Sequence, residues 1–78
     1  MKISIVYKKG ALNEAEAVKE KAEARGVEVL STLALNEFSE GGEDIVVVIG
    51  GDGSFLRVAS IANKPIALLR YESFGFFS

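Results

Sequence analysis

Short apolar runs alternate with longer amphipathic segments along the chain. Residues 3–7 alternate as a strand does, whereas residues 45–49 are apolar throughout, which is typical of a strand covered on both faces of a sheet. The longer segments place apolar residues three and four positions apart and indicate helices. The pattern predicts four strands and two helices with a loop over 36–44: strands over 3–7, 27–33, 45–49 and 66–69, and helices over 11–25 and 54–63.

The two predicted helices differ in how much of their surface is polar. The first has the spacing of a capping box, with Asn13 followed by Glu16, and Gly26 stands where a left-handed residue can end the helix. The second helix leaves only a narrow polar stripe, which predicts that it is deeply buried. That stripe consists of Arg57, Ser60 and Asn63.

The order of these elements predicts an α/β fold, a Rossmann-like open parallel sheet of four strands with helices on both faces. The second strand is the most polar, and the first and third are the most apolar, so we expect the strand order 2-1-3-4. The direction of winding then reverses between strands one and three. Ligands of open sheets bind beyond the carboxyl ends of the strands at such a reversal, so residues 7–10 and 50–53 should border one crevice.

Composition limits the size and setting of the protein. With 78 residues the chain forms at most one small domain, and its 49% hydrophobic content exceeds what one thin core can cover. A net charge of -2 without a basic stripe argues against nucleic acid or membrane partners.

The sequence has neither cysteine nor histidine, which excludes disulfides and the usual zinc sites. Since no apolar run is long enough for a signal peptide core or a spanning helix, we expect a cytoplasmic protein.

A glycine-rich loop joins the apolar third strand to the second helix. Gly50, Gly51 and Gly53 let backbone approach a phosphate closely, and the first N–H groups of the following helix favour an anion. The carboxylate of Asp52 would repel phosphate there unless a metal ion bridges the two groups or the carboxylate accepts a proton from a reacting hydroxyl. The loop therefore indicates phosphoryl transfer. An Asp-Gly hairpin turn and a merely connecting loop are the simpler alternatives, and the helical spacing of residues 54–63 argues against the hairpin.

The segment IVVVIGGDGSFLRVAS, residues 45–60, resembles the GGDG signature of NAD kinases. These enzymes belong to a superfamily that includes 6-phosphofructokinases and the diacylglycerol and sphingosine lipid kinases. Residues 74–78, FGFFS, resemble the Leu-Gly-Phe-Leu-Thr sequence that follows the next strand in NAD kinases and favour that family among its relatives. The whole chain is similar to the amino-terminal part of the family's α/β domain.

The resemblance implies transfer of a phosphoryl group from ATP or polyphosphate, with Mg²⁺ or another divalent cation, to the 2'-hydroxyl of the adenosine ribose of NAD. Asp52 would accept the hydroxyl proton and contact NAD together with Gly53, and Gly50 and Gly51 would form the phosphate loop. No residue is assigned to a metal site. The other implied NAD contacts are Leu56, Arg57, Phe76 and Phe77. For Arg57 a solvent-exposed role, and for the two phenylalanines ordinary core packing, are the alternatives.

Two positions depart from the family pattern. Arg70 stands where asparagine is usual and Glu72 where glycine is usual, which leaves the phosphate donor open. Family members are longer and carry an Asn-Glu pair that grips the NAD ribose, followed by a β-rich domain. We therefore expect this single α/β domain, residues 1–78, to be the amino-terminal portion of a two-domain kinase, inactive alone and homo-oligomeric when intact. A lipid or sugar kinase and a non-catalytic nucleotide-binding module are the competing hypotheses.

Overall fold

The computed structural model describes residues 1–70 of the chain. Within them the elements follow the predicted order, and a short 3-10 turn opens the segment that was predicted as a loop. The elements are β1 (Lys2–Tyr7), α1 (Leu12–Ala24), β2 (Glu28–Ala34), the 3-10 turn (Leu35–Glu37), β3 (Ile45–Gly50), α2 (Asp52–Ala59) and β4 (Ile66–Arg70).

The four strands form one parallel sheet in the order β2-β1-β3-β4, which confirms the predicted order. The apolar strand β3 lies inside the sheet, and the more polar β2 lies at an edge. Tyr7 at the end of β1 pairs with Ile49, and Gly50 at the end of β3 pairs with Arg70. Three strands therefore end at nearly the same level, and the glycine-rich segment begins at that carboxyl edge.

Each helix covers a different face of the sheet, because alternate residues of a strand point to opposite faces. Small residues let α1 pack closely on β1, and α2 contributes Val58 to the opposite face. The cluster beneath α1 contains Ile3, Ile5, Ala11, Ala15 and Ile49. The cluster beneath α2 contains Val6, Val46, Val48 and Val58. The prediction of helices on both faces is confirmed.

The predicted capping box of α1 is wrong. The residue that precedes the helix is Ala11, and no side chain caps its amino-terminal end. Ala11 is fully buried and its carbonyl accepts the N–H of Ala15, so packing rather than a polar cap determines where this helix begins. Gly26 has a φ of 82°, as expected for the residue that ends the helix.

The second helix also departs from prediction. It runs over Asp52–Ala59 instead of 54–63, so Asp52 and Gly53 lie in its first turn. It is not deeply buried either, because Val58 is its one buried residue while Leu56 remains 66% exposed. One face of α2 packs on β3 and β4, and no element within residues 1–70 covers the other face. The apolar pattern therefore marks a surface that these 70 residues leave uncovered.

A buried carboxylate stabilises the amino-terminal edge of the sheet, opposite the carboxyl edge where the glycine-rich segment begins. Glu43 precedes β3 and is only 3% exposed. Its Oε1 accepts the hydroxyl of Ser4 at 2.6 Å, and its Oε2 lies 3.1 Å from Lys64 Nζ. Burial alone would raise the pKa of Glu43, but hydrogen bonds from Ser4 and Gly41 and the charge of Lys64 outweigh it and lower the pKa from 4.5 to about 2. The ionised network joins β1 to the segments that precede β3 and β4.

Candidate functional site at the carboxyl edge of the sheet

The glycine-rich segment changes from strand to helix within two residues. Gly50 is the last residue of β3, and Gly51 has extended backbone with φ -105° and ψ -166°. The carbonyl of Gly51 accepts the N–H of Phe55 at 3.1 Å, which starts the helical hydrogen bonding of α2. The next residue, Asp52, therefore projects from the first helical turn at the carboxyl edge, the region in which open α/β sheets bind ligands.

The two glycines that flank this junction have different surroundings. A Cβ atom placed on Gly50 would lie 2.6 Å from the Oγ of Ser54 and 2.8 Å from its Cβ, distances too short for any side chain. A Cβ placed on Gly53 would meet no atom within 4 Å among the described residues. Gly50 therefore permits the close approach of α2 to β3, whereas Gly53 leaves open space beside the helix amino terminus.

Asp52 forms an ion pair with the last residue of the neighbouring strand. The Oδ1 atom of Asp52 lies 2.8 Å from an Nη atom of Arg70. Both side chains are largely exposed, Asp52 at 71% and Arg70 at 53%. The register of the sheet explains the contact, because Arg70 pairs with Gly50 and so ends beside the start of α2. The carboxylate is accessible to a ligand, and a fixed positive charge lies next to it.

A cavity of about 600 Å³ opens where β1 and β2 end. Arg57 reaches it from α2, and Lys9 reaches it from the segment after β1. Of the described residues that line it, none is acidic, so the cavity is suited to an anionic ligand. The lining residues are Tyr7, Lys9, Gly10, Ala34, Leu35, Asn36 and Arg57.

The structure brings some of the predicted site residues together and separates others. Asp52, Gly53, Leu56 and Arg57 all lie on the short helix α2, and Leu56 and Arg57 are both exposed. Arg57 lines the cavity beside β1, whereas Asp52 contacts β4 by its ion pair with Arg70. The predicted contacts Phe76 and Phe77 lie outside the described residues, as does the unusual Glu72.

Two features of this edge were not predicted from the sequence. Arg70 was predicted to depart from a family pattern but not to pair with Asp52. No role was predicted for the end of β2, although Leu35 and Asn36 line the cavity. Both features follow from strand order and register, because parallel strands that end at the same level bring the residues that follow them close together.

The donor atoms of the described residues constrain how a divalent cation could bind. Within residues 1–70, no group of three or more acidic, histidine or cysteine side chains is arranged to hold a metal ion. Mg²⁺ commonly binds through one or two carboxylates together with substrate phosphates and water. The exposed carboxylate of Asp52 could supply one such ligand at this edge.

The fold and the site define an α/β domain with a parallel sheet, a glycine-rich junction and an exposed carboxylate at the carboxyl edge. Residues 2–76 match the family described as the ATP-NAD kinase N-terminal domain, and the chain belongs to this family. No curated protein matches the chain. The predicted family and the predicted α/β fold are confirmed. None of the helices in residues 1–70 has the length and apolar character needed to cross a membrane.

Proposed function

We propose that the protein is an NAD kinase, which transfers a phosphoryl group from ATP or polyphosphate to the 2'-hydroxyl of the adenosine ribose of NAD. The observation that carries this proposal is the position of the GGDG sequence in a chain of the ATP-NAD kinase family. The Asp52 carboxylate emerges, largely exposed, from the first turn of α2 at the carboxyl edge. An accessible carboxylate at this edge is suited to receive a proton from a bound hydroxyl.

In the proposed reaction the ribose 2'-oxygen forms a bond to the γ-phosphorus of ATP. The bond from that phosphorus to the β–γ bridging oxygen breaks, and ADP leaves with its electron pair. Asp52 accepts the proton of the 2'-hydroxyl and later releases it to water. Because the transition state of phosphoryl transfer is loose and the proton leaves late, Asp52 contributes as much by orienting the hydroxyl as by removing its proton.

The proposed binding roles are assigned to residues around Asp52. Gly53 leaves space beside Asp52 that NAD can enter, and the exposed Leu56 supplies an apolar contact one turn further along α2. Gly50 and Gly51 provide phosphate-binding backbone where β3 ends. Phe76 and Phe77 complete the adenine side of the NAD pocket in this proposal, since aromatic faces stack on bases.

The donor phosphates are proposed to lie toward the cavity at the ends of β1 and β2. Lys9 and Arg57 both line it, and two cations without an acidic neighbour in the described lining attract a polyanion. Bound Mg²⁺ would neutralise the phosphates and help to align them. The same charges would serve ATP and polyphosphate alike.

The chain is proposed to be the amino-terminal portion of a longer two-domain kinase. The matched family is itself described as an N-terminal domain. Apart from the proposed NAD contact Leu56, the described residues also leave large apolar side chains uncovered: Leu12 at 50%, Ile61 at 51% and Leu69 at 36% exposure. A second domain that covers these residues would supply the other wall of the site, and the 78 residues alone are therefore expected to be inactive.

A comparison of acceptors tests the proposed function. The intact protein is incubated with Mg-ATP or polyphosphate and with NAD, diacylglycerol or fructose 6-phosphate, and the phosphorylated product is identified by mass spectrometry. Formation of NADP with the other two acceptors unchanged supports the proposal. Turnover of the lipid or the sugar instead would assign the protein to another branch of the superfamily, and NAD binding without any turnover would indicate a binding module.

A further inference from the structure

We propose that Arg70 is a positioning residue for Asp52, which holds one oxygen of its carboxylate so that the other faces the reacting hydroxyl. This inference rests on the proposed function. It starts from the 2.8 Å contact between the Arg70 guanidinium and Asp52 Oδ1. The ion pair uses only Oδ1, and because the Asp52 side chain is 71% exposed, its second oxygen is accessible to a substrate.

Arg70 and Asp52 belong to different elements of the fold. Arg70 belongs to β4, whose pairing with β3 is continuous from Val46 to Gly50, so the backbone that carries the guanidinium is part of the sheet. Asp52 instead lies in the first turn of the eight-residue helix α2, with its side chain 71% exposed. An exposed aspartate samples several rotamers unless another group restrains it. The ion pair with Arg70, whose backbone pairs with Gly50 in the sheet, supplies that restraint.

The ion pair between Asp52 and Arg70 is better suited to orient the Asp52 carboxylate than to stabilise the fold. Exposed ion pairs contribute little to folding, so loss of this one should leave the fold intact. Misplacement of a reacting group by about 1 Å can nevertheless cost on the order of 100-fold in rate. Removal of the guanidinium should therefore lower kcat while NAD binding changes little, because the other proposed NAD contacts remain.

The experiment measures how Arg70 and Asp52 depend on each other in the intact protein. We expect Arg70→Ala to lower kcat by about 10- to 100-fold, with the KM for NAD changed less than about threefold. Arg70→Lys keeps the positive charge and should recover at least part of the loss. In an Asp52→Asn background, Arg70→Ala should cause no further loss, because its effect passes through the carboxylate.

Two controls separate positioning from a structural role. Arg25→Ala removes an exposed arginine at the end of α1 and should leave kcat unchanged. The melting temperature of Arg70→Ala should fall by less than about 5 °C. An unchanged kcat in Arg70→Ala would overturn the proposal, and so would an equal further loss of kcat in the Asp52→Asn background.

A measurement of the Asp52 rotamer decides the positioning role even if NAD is not the substrate. NMR couplings that report χ1 of Asp52 should indicate one rotamer in the parent protein and averaged rotamers in Arg70→Ala. Averaged rotamers in both proteins would overturn the inference. Failure of the proposed function would instead appear as the absence of NADP formation by a parent protein that retains a single Asp52 rotamer.

Discussion

The hydroxyl of Ser4 donates a 2.6 Å hydrogen bond to Oε1 of Glu43, a residue 39 positions away in the sequence. Both groups are buried. Ser31 donates to Ser4 at 3.1 Å, and Lys64 forms an ion pair with the other oxygen of Glu43, so four distant segments meet around one carboxylate. A buried charge is tolerated when it is paired and hydrogen-bonded, and it becomes costly when a partner is lost.

Replacement of this carboxylate should destabilise the fold. We expect Glu43→Gln to lower the free energy of unfolding by about 2–3 kcal/mol, because the neutral amide loses the Lys64 ion pair and its NH2 group must face a donor, either Ser4 or Lys64 and the Gly41 N–H. Urea denaturation followed by circular dichroism measures the change. The matched control is Glu37→Gln at an exposed site, which should stay within about 0.5 kcal/mol of the parent.

Acid should remove the same stabilisation. The folded-state pKa of Glu43 is lowered from 4.5 to about 2, so the unfolded chain binds this proton more readily than the folded chain. The contribution is fully present above about pH 5 and is lost as the pH falls toward 2, with a magnitude of about 3 kcal/mol. Denaturation of the parent and of Glu43→Gln between pH 6 and about pH 2 checks this, since the difference between them should shrink with acid. A constant difference would contradict the prediction.

Gly50 and Gly53 should respond oppositely to replacement by alanine. Gly50→Ala places its Cβ 2.8 Å from the Cβ of Ser54, an atom that cannot rotate away, so we expect a loss of about 1–3 kcal/mol. Gly53→Ala enters open space in a helical turn and should be neutral or stabilising by up to about 1 kcal/mol. Thermal denaturation of both variants measures the contrast, and equal destabilisation would disprove the packing role of Gly50.

Helix α2 should show one side that supports the fold and one side that does not. Val58 is fully buried against β3, and its replacement by alanine should cost about 1–3 kcal/mol. Leu56 is 66% exposed, so Leu56→Ala should change the stability of the 78-residue chain by less than about 0.5 kcal/mol. In the intact protein we expect Leu56→Ala to raise the KM for NAD. An unchanged KM would remove Leu56 from the proposed NAD site.

The proposed proton acceptor is tested by Asp52→Asn in the intact protein. The amide keeps the shape of the side chain but cannot accept the proton, so kcat for NADP formation should fall by about 100- to 10,000-fold. NAD binding measured by calorimetry should be largely retained, since the surrounding contacts are unchanged. Turnover equal to that of the parent would exclude Asp52 as the proton acceptor.

Much of the fold was predictable because the pattern of each element depends on local sequence. The uninterrupted apolar run 45–49 identified a strand inside the sheet, and the polar character of 27–33 placed its strand at an edge, as the sheet confirms. The capping box at Asn13 was predicted wrongly, because burial of Ala11 and its hydrogen bond to Ala15 determine the start of α1. Burial of α2 was also predicted wrongly, since Val58 is its one buried residue and no element within residues 1–70 covers its outer face.

The sequence by itself determined the α/β class, the strand order and the position of the GGDG segment after the apolar strand, because periodicity and glycine placement act over a few residues. Only the tertiary structure decided that Arg70 contacts Asp52, that Gly50 makes room for Ser54 and that Glu43 is buried with Ser4 and Lys64. Each of these relationships depends on strand register and helix placement, which bring side chains together at distances that no local pattern encodes.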